Sequence, residues 1–232
     1  MTTLARYRDG AAVPSVLDVA RDLVVRAIPP SLILLVVGLA VGQFLIPPLS
    51  ARTGEDQLSV TLQAGRTPFL DTVSIVASTI GGISGNAVIC VLSILVIWAM
   101  TRQWWLATLP LVALNLHIGV HIVTSTLIAR DRPSVQQLDV GQPTASFPSG
   151  HMGATTAQLL VMALFFWYAL RSLALRMAIA ACFGGYLLVL AWSRVYLGMH
   201  HPTDVAWGAV NGVACGMIAW MYLRPQFAEA PY

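Results

Sequence analysis

The stretch Phe147–His151 has the sequence Phe-Pro-Ser-Gly-His and combines features that can bind an anion and move a proton. Pro148 and Ser149 are typical of the start of a helix, and Gly150 leaves room for a ligand beside the backbone. Unpaired amides and the positive end of a helix dipole both favour a bound anion. His151 lies in the first turn, where its imidazole could exchange a proton with that anion.

Two further clusters supply the charge that an anion needs. Arg130 and Arg132 precede this helix start, and Arg194, His200 and Asp204 follow it. A planar guanidinium can bind two oxygens of a phosphoryl group at once. Because His200 lies four residues before Asp204, we expect the carboxylate to hold Nδ1–H of His200 and to direct Nε2 at phosphorus. The three clusters together predict phosphoryl-transfer chemistry.

A metal site is the main alternative for His200 and Asp204, since two ligands four residues apart are a known zinc spacing. Two arginines in the same site favour an anion, so we expect no metal and no cofactor. We expect His201 to be a loop residue. His117 is expected to be a hydrogen-bonded structural histidine, whereas His121 is either structural or directed at the pocket.

Composition identifies an integral membrane protein. The 232 residues are 57% hydrophobic and 10% charged, with a mean hydropathy of +0.74. The net charge of +3 could suggest nucleic acid as a partner. The positions of the arginines explain this charge better, so we expect the bilayer and no nucleic acid. The three cysteines lie in apolar stretches and predict neither a disulfide nor a metal site.

The apolar stretches predict an all-α bundle of six transmembrane helices. The expected spans are 27–46, 86–101, 105–128, 149–170, 177–192 and 203–223. Pro47-Pro48 is expected to end the first span. Residues 67–84 are apolar but carry polar side chains, so we expect a surface or re-entrant helix there. One catalytic bundle, 27–223, would lie between cytoplasmic segments 1–26 and 224–232.

The arginines predict the orientation of the bundle. Six spans place both termini on one side of the membrane, and most arginines fall on that side. They are Arg6, Arg8, Arg21, Arg26, Arg102, Arg171, Arg176 and Arg224. On the other side, only Arg52 and Arg66 lie outside the polar clusters. The positive-inside rule therefore puts both termini in the cytoplasm and the clusters at the outer face of the cell membrane.

Small residues predict how the helices pack. A small-residue seam follows Asp204 at every fourth position, and it consists of Gly208, Gly212 and Gly216. Asp204 would then point into the bundle. Gly153 and Ala157 form a shorter seam. Gly38 and Gly42 suit either packing within the chain or contact with a second copy, so a homodimer is one candidate assembly.

These motifs resemble those of the type 2 phosphatidic acid phosphatase (PAP2) superfamily. Its motifs are Lys-x6-Arg-Pro, Pro-Ser-Gly-His and Ser-Arg-x5-His-x3-Asp. The second is complete at residues 148–151, and the third is complete at Ser193, Arg194, His200 and Asp204. The first keeps Arg132-Pro133 but has Ser125 at the lysine position. The resemblance covers roughly residues 65–215 and implies a metal-independent phosphatase that works through a phosphohistidine.

The expected roles follow from the chemistry. His200 attacks phosphorus, and His151 protonates the leaving oxygen and then activates water. The phosphate is bound by Arg132, Arg194, Ser149, Gly150, Arg130 and Ser125, with Arg130 adding positive charge at the mouth. Ser125 gives a neutral contact worth about 1 kcal/mol where lysine gives roughly 1.5–3. Turnover could be slower unless Arg130 or a protonated His121 compensates.

The expected activity is hydrolysis of a phosphomonoester or diphosphate lipid. A polyprenyl diphosphate is the first candidate, followed by phosphatidic acid and phosphatidylglycerol phosphate. Two alternatives stay open: phosphotransfer to a hydroxyl acceptor, and a non-catalytic protein that binds lipid phosphates. Six apolar spans exclude a soluble haloperoxidase.

Overall fold

The computed structural model describes residues 13–139 and 144–222, which form eight helices and no strand. The bounds are α1 Val16–Thr53, α2 Asp56–Ala64, α3 Pro68–Gly81, α4 Ile83–Thr101, α5 Trp104–Ile128, α6 Gly150–Ala169, α7 Leu173–Tyr196 and α8 Pro202–Tyr222. All except α2 and α3 are long and apolar enough to cross a membrane. The prediction of a six-span α-helical membrane protein is confirmed. Arg6, Arg8 and Arg224 lie outside the described residues, as do residues 1–12 of the first predicted terminal segment and all of 224–232.

The prediction that Pro47-Pro48 ends the first helix is wrong, because α1 continues to Thr53. Both proline pairs of α1 follow a π-helical stretch, Leu23–Ala27 before Pro29-Pro30 and Val41–Leu45 before Pro47-Pro48. A proline cannot donate the backbone hydrogen bond of a regular helix and its ring crowds the preceding turn. A widened π turn before each pair accommodates this local break, so the helix passes through it.

Helix α3 is the surface or re-entrant helix expected over 67–84. Its 14 residues are too few to cross a hydrocarbon core. Thr67 caps its start by accepting a hydrogen bond from the amide of Leu70 at 3.2 Å. One face packs against α7 and buries Ser74 and Ser78. A polar face is thereby turned toward the interior near the end of α7.

The small-residue seams of α6 and α8 pack against each other. A Cβ atom at Gly208 would lie 2.6 Å from the carbonyl oxygen of Ser149, and one at Gly212 would lie 2.5 Å from that of Gly153. At Gly216 the nearest atom would be the carbonyl oxygen of Ala157, at 2.9 Å. The absence of side chains lets the two backbones touch, which fixes the depth of α8 relative to the start of α6.

The glycines of α1 pack within the chain. Gly42 lies against Phe147 and Ile128, and Gly38 lies against Thr124 and Trp207. This resolves the open choice for the two glycines in favour of intramolecular packing.

The direction of each span brings the polar clusters to one end of the bundle. The ends of α1, α5 and α7 and the starts of α6 and α8 all meet there, as expected from six spans. The described parts of the connection between α5 and α6, 129–139 and 144–149, and the short segment 197–201 lie at this end.

Candidate active site

The α5–α6 connection is held in place by backbone hydrogen bonds. Ser146 donates its amide to the carbonyl of Arg130 at 2.8 Å, and Leu138 donates to the carbonyl of Leu197 at 3.0 Å. The loop is therefore fixed both to its own start and to the segment that carries His200.

The start of α6 differs in one respect from the predicted anion site. Ser149 is the expected cap and accepts a hydrogen bond from the amide of Met152 at 3.5 Å. Its own amide donates to the carbonyl of Asp204 at 3.0 Å, so this N–H does not face an anion. The amides of Gly150 and His151, in the first turn, remain the candidate donors, because the first helical amides have no carbonyl one turn earlier.

His200 is buried and held in one tautomer. Its Nδ1 lies 2.7 Å from the carbonyl oxygen of Ser146. A carbonyl can only accept, so Nδ1 carries the proton and Nε2 carries the lone pair. Burial, and then the positive charge of Arg194, hold the pKa of His200 well below its usual range. His200 is therefore a neutral imidazole with a nucleophilic Nε2.

The expected contact between Asp204 and Nδ1 of His200 is wrong. The Asp204 carboxylate accepts a hydrogen bond from the Ser146 hydroxyl at 2.6 Å and forms an ion pair with Arg130. It is fully buried, as predicted. Because α8 begins only at Pro202, His200 lies in the preceding loop and the four-residue helical spacing does not apply to the pair. Asp204 reaches His200 through Ser146.

Arg130 does not supply unpaired charge at the mouth of the site, contrary to the expectation from sequence. Its guanidinium lies between the carboxylates of Asp204 and Glu55, at 2.5 Å from the latter. It also donates to the hydroxyls of Thr203 at 2.8 Å and Ser50 at 3.0 Å. Arg130 is thus the centre of a buried ion network.

Arg132 and Arg194 remain as the guanidinium groups beside His200. Arg132 donates to the carbonyls of Met199 at 3.3 Å and Thr144 at 3.2 Å. Arg194 is 1% exposed and forms an ion pair with Asp139 at 2.7 Å. The positive charges of both arginines act on His200.

A carboxylate and a hydroxyl share the guanidinium of Arg194. Ser78 of α3 contacts Arg194 and donates to Asp139 at 2.5 Å. Asp139 also lies within electrostatic range of Arg132 and His151. A carboxylate of the α5–α6 connection therefore lies among the groups predicted to bind phosphate.

His151 points from the first turn of α6 toward the junction of α3 and α4. A Cβ atom added at Gly82 would lie 3.5 Å from its Nε2. His151 lies within electrostatic range of Arg194 and Arg132, and its charge acts on His200. The predicted acid–base residue and the predicted nucleophile are thus neighbours across the α6–α8 end of the bundle.

The remaining predicted residues of α5 pack against α6. His117 is hydrogen-bonded, as predicted, since its Nδ1 lies 3.1 Å from the side-chain amide nitrogen of Asn211. His121 stacks on His117 and lies against Gly150, where an added Cβ atom would meet its Nε2 at 2.9 Å. Gly150 therefore makes room for His121. The hydroxyl of Ser125 donates to the carbonyl of Ile122 at 3.3 Å, within its own helix.

His201 lies in the loop before α8, as predicted, and it also takes part in the ion network. It is buried, and its ring nitrogens lie 3.1 Å from the Asp204 carboxylate and 2.7 Å from that of Asp56. It links α8 to the start of α2.

Several residues of the polar network were not identified from sequence, and four of them contact a predicted site residue through a charge or a backbone carbonyl. They are Glu55, Ser78, Asp139 and Ser146. Their only sequence signal is their location in the polar segments that flank the apolar spans, which does not predict their partners.

A model of the PAP2 superfamily matches residues 106–228, more than half of the chain. The chain belongs to the PAP2 superfamily. This PAP2 protein is 32% identical over 124 residues to the "Putative undecaprenyl-diphosphatase YbjG" of Escherichia coli, which covers 52% of the chain and 58% of that relative. It is 31% identical over 103 residues to the decaprenylphosphoryl-5-phosphoribose phosphatase of Mycobacterium tuberculosis, covering 43% and 51%. The matches thus span little more than half the length of these relatives.

Two solved structures share the fold of this PAP2 protein. A PAP2 type phosphatidylglycerolphosphate phosphatase from Bacillus subtilis superposes with a TM-score of 0.70 and 23% identity, over 85% of this chain and 95% of that one. LpxE of Aquifex aeolicus gives a TM-score of 0.52 and 24% identity, over 72% and 94%. At these identities the comparison establishes the membrane PAP2 fold.

Proposed function

We propose that this PAP2 protein is a membrane lipid phosphatase that hydrolyses a phosphomonoester or diphosphate lipid through a phosphohistidine on His200. One observation carries the proposal. The Ser146 carbonyl fixes Nδ1–H of His200 at 2.7 Å, which leaves a neutral Nε2 beside two guanidinium groups. A neutral imidazole with one proton anchored is a nucleophile, and the guanidinium groups suit a phosphoryl anion.

In the first step, Nε2 of His200 bonds to phosphorus as the bond from phosphorus to the leaving oxygen breaks. His151, in its protonated form, gives its proton to that oxygen, and the lipid alcohol or lipid monophosphate leaves. Arg132, Arg194 and the first amides of α6 stabilise the equatorial oxygens in the transition state.

In the second step, His151 is neutral and accepts a proton from water. The water oxygen attacks phosphorus and the bond to Nε2 breaks. Inorganic phosphate leaves, while His200 returns to its neutral form and His151 to its protonated form. When phosphate binds, Asp139 must either move away from Arg194 or share its guanidinium with the phosphate, since both anions bind the same N–H donors.

The names of the relatives support a prenyl lipid phosphate as the first substrate class. One is called an undecaprenyl-diphosphatase and the other acts on a decaprenyl phosphoryl sugar, by their names. We extend this class to the present chain and keep phosphatidic acid and phosphatidylglycerol phosphate as the next candidates.

The site is proposed to lie at the outer face of the cell membrane, with both termini in the cytoplasm. Among the described residues, Arg21, Arg26, Arg102, Arg171 and Arg176 lie at the opposite end of the spans. The positive-inside rule supports a cytoplasmic location for that end. Cysteine labelling of Thr53→Cys against Ser172→Cys in intact cells tests this, because only the first should react with an impermeant reagent.

Phosphate release from purified protein in detergent tests the activity. The substrates are a prenyl diphosphate, a prenyl monophosphate, phosphatidic acid and phosphatidylglycerol phosphate, each with and without a chelator. We expect release without added metal, inhibition by vanadate, and a loss of roughly 10⁴-fold or more in His200→Ala. Loss of activity on chelation, restored by zinc or magnesium, contradicts the mechanism.

Trapping the intermediate separates the roles of the two histidines. His151→Ala should slow turnover by roughly 10²–10⁴-fold and let an acid-labile phosphohistidine accumulate from a substrate with a good leaving group. His200→Ala should show no labelled protein. Acceptor-dependent product would indicate a phosphotransferase, and binding of all four lipids without phosphate release would indicate a binding protein.

A further inference from the structure

We propose that Glu55 is a positioning residue for His200, acting through Arg130, Asp204 and Ser146. The inference rests on the proposed function and adds a residue from the segment between α1 and α2 to the machinery of the site. Glu55 lies outside the matched family region 106–228.

Glu55 is buried and satisfied on both carboxylate oxygens. It is 6% exposed. One oxygen accepts from Arg130 at 2.5 Å, and the other accepts from the amide of Thr203 at 3.1 Å and from its hydroxyl at 2.8 Å. Burial by itself would raise the pKa of Glu55, but hydrogen bonds from Ser50, Arg130 and Thr203 outweigh it and lower the pKa to about 2. Glu55 is therefore an anion at neutral pH.

Arg130 joins this anion to Asp204. Its guanidinium lies between the two carboxylates and is only 15% exposed in its side chain. A buried charge that loses one partner is strongly destabilised, so the position of Arg130 depends on both carboxylates.

Ser146 is connected to Arg130 in two ways, directly through the backbone and indirectly through Asp204. The Ser146 amide donates to the Arg130 carbonyl at 2.8 Å, and its hydroxyl donates to the Asp204 carboxylate at 2.6 Å. The same residue then holds Nδ1 of His200 through its carbonyl at 2.7 Å. A shift of Arg130 would therefore move the residue that aims the nucleophile. A small displacement of Nε2 raises the free energy of the transition state more than it weakens ground-state binding.

The rival role for this network is phosphate binding by Arg130. Removal of the Glu55 charge would then free a guanidinium for phosphate and strengthen ground-state binding. If Glu55 positions His200, the result is different, because an imidazole that is held less firmly slows the step in which Nε2 bonds to phosphorus. Phosphate binding by Arg130 thus predicts a change in ground-state affinity, whereas positioning predicts a change in turnover.

The experiment compares Glu55→Gln and Glu55→Asp with the wild type in detergent. Glu55→Gln should lower kcat by roughly 10- to 100-fold with KM within about twofold, and Glu55→Asp should recover part of the loss. The matched control is Asp131→Asn, which neutralises an exposed carboxylate next to Arg130 and should change kcat by no more than about twofold.

Orthovanadate and inorganic phosphate give a second measurement that needs no substrate turnover. Orthovanadate can bond to Nε2 in the geometry of the transition state, whereas phosphate reports ground-state binding. We expect thermal-shift titrations to show at least about tenfold weaker vanadate binding by Glu55→Gln and phosphate binding within about twofold. Three results for Glu55→Gln would each overturn the proposal. They are an unchanged kcat and vanadate affinity, tighter phosphate binding, and an equal decrease in the affinities for vanadate and phosphate. A wild type that binds vanadate but hydrolyses no lipid would defeat the proposed function alone, and the vanadate comparison would still test Glu55.

Discussion

His200 donates Nδ1–H to the carbonyl of Ser146 at 2.7 Å, so a loop residue three positions before the helix cap fixes the tautomer of the proposed nucleophile. The same serine donates its hydroxyl to Asp204 at 2.6 Å. Asp204 is therefore placed to act on His200 indirectly, by orienting a backbone carbonyl. A carbonyl accepts from a neutral imidazole without adding a full negative charge beside it, which suits a nucleophile that must also approach a phosphoryl anion.

Ser146→Ala should lower kcat by about tenfold. The substitution keeps the carbonyl that holds His200 but removes the hydroxyl that connects Ser146 to Asp204. At metal sites, loss of a residue that hydrogen-bonds to a ligand lowers activity or affinity by roughly 10- to 100-fold, and we expect a similar effect here. Phosphate release under saturating substrate measures the effect. Ser172→Ala is the control, because it removes a serine that caps α7 at the far end of the bundle and should leave kcat unchanged.

Asp139→Asn should strengthen binding of inorganic phosphate by about fivefold, the ratio that ~1 kcal/mol of charge repulsion gives. Asp139 pairs with Arg194 at 2.7 Å, and its negative charge opposes a second anion in the same place. Product inhibition by phosphate measures the change, with Asp131→Asn as the exposed control. Weaker phosphate binding would mean that Asp139 chiefly orients Arg194.

Acid should remove the stabilisation that Glu55 provides. Its pKa falls from 4.5 to about 2 on folding, so between these values the unfolded chain binds more protons than the folded one. The contribution, roughly 3 kcal/mol, is complete above about pH 4.5 and is lost as the pH falls toward 2. Unfolding of wild type and Glu55→Gln at pH 6, 4 and 3 measures it. We expect the difference between them to shrink with pH, and a constant difference would count against the assignment.

Gly212→Ala should destabilise the bundle by about 1–3 kcal/mol, because the new methyl group would lie 2.5 Å from the carbonyl oxygen of Gly153. Helices α6 and α8 would have to separate, and activity should fall with stability. Gly185→Ala is the matched control, since no atom beyond the local backbone of α7 lies within 4 Å of the new methyl group. That variant should be neutral or slightly more stable, as alanine favours a helix. The thermal unfolding midpoint in detergent compares the two.

Residue patterns correctly predicted the spans and the seam between α6 and α8. Both depend on regular helices, in which the number of residues fixes length and every fourth residue shares a face. The same reasoning failed at Pro47-Pro48, where π turns carry α1 through the prolines, and at His200, which precedes the first turn of α8. The spacing of residues along the chain predicts which side chains share a face only where the backbone forms a regular helix.

The six apolar spans, the PAP2 motifs and the meeting of three polar clusters at one end of the bundle can all be predicted from residue patterns. The polar partners cannot: the folded chain pairs Arg130 with Glu55 and Asp204, Arg194 with Asp139, and His200 with the Ser146 carbonyl. The two kinds of feature differ in range. Hydrophobic length and helical period are properties of a local segment, whereas a hydrogen bond requires atoms within about 3 Å. Glu55 and Arg130 meet across 75 positions of the chain, and no local pattern records that contact.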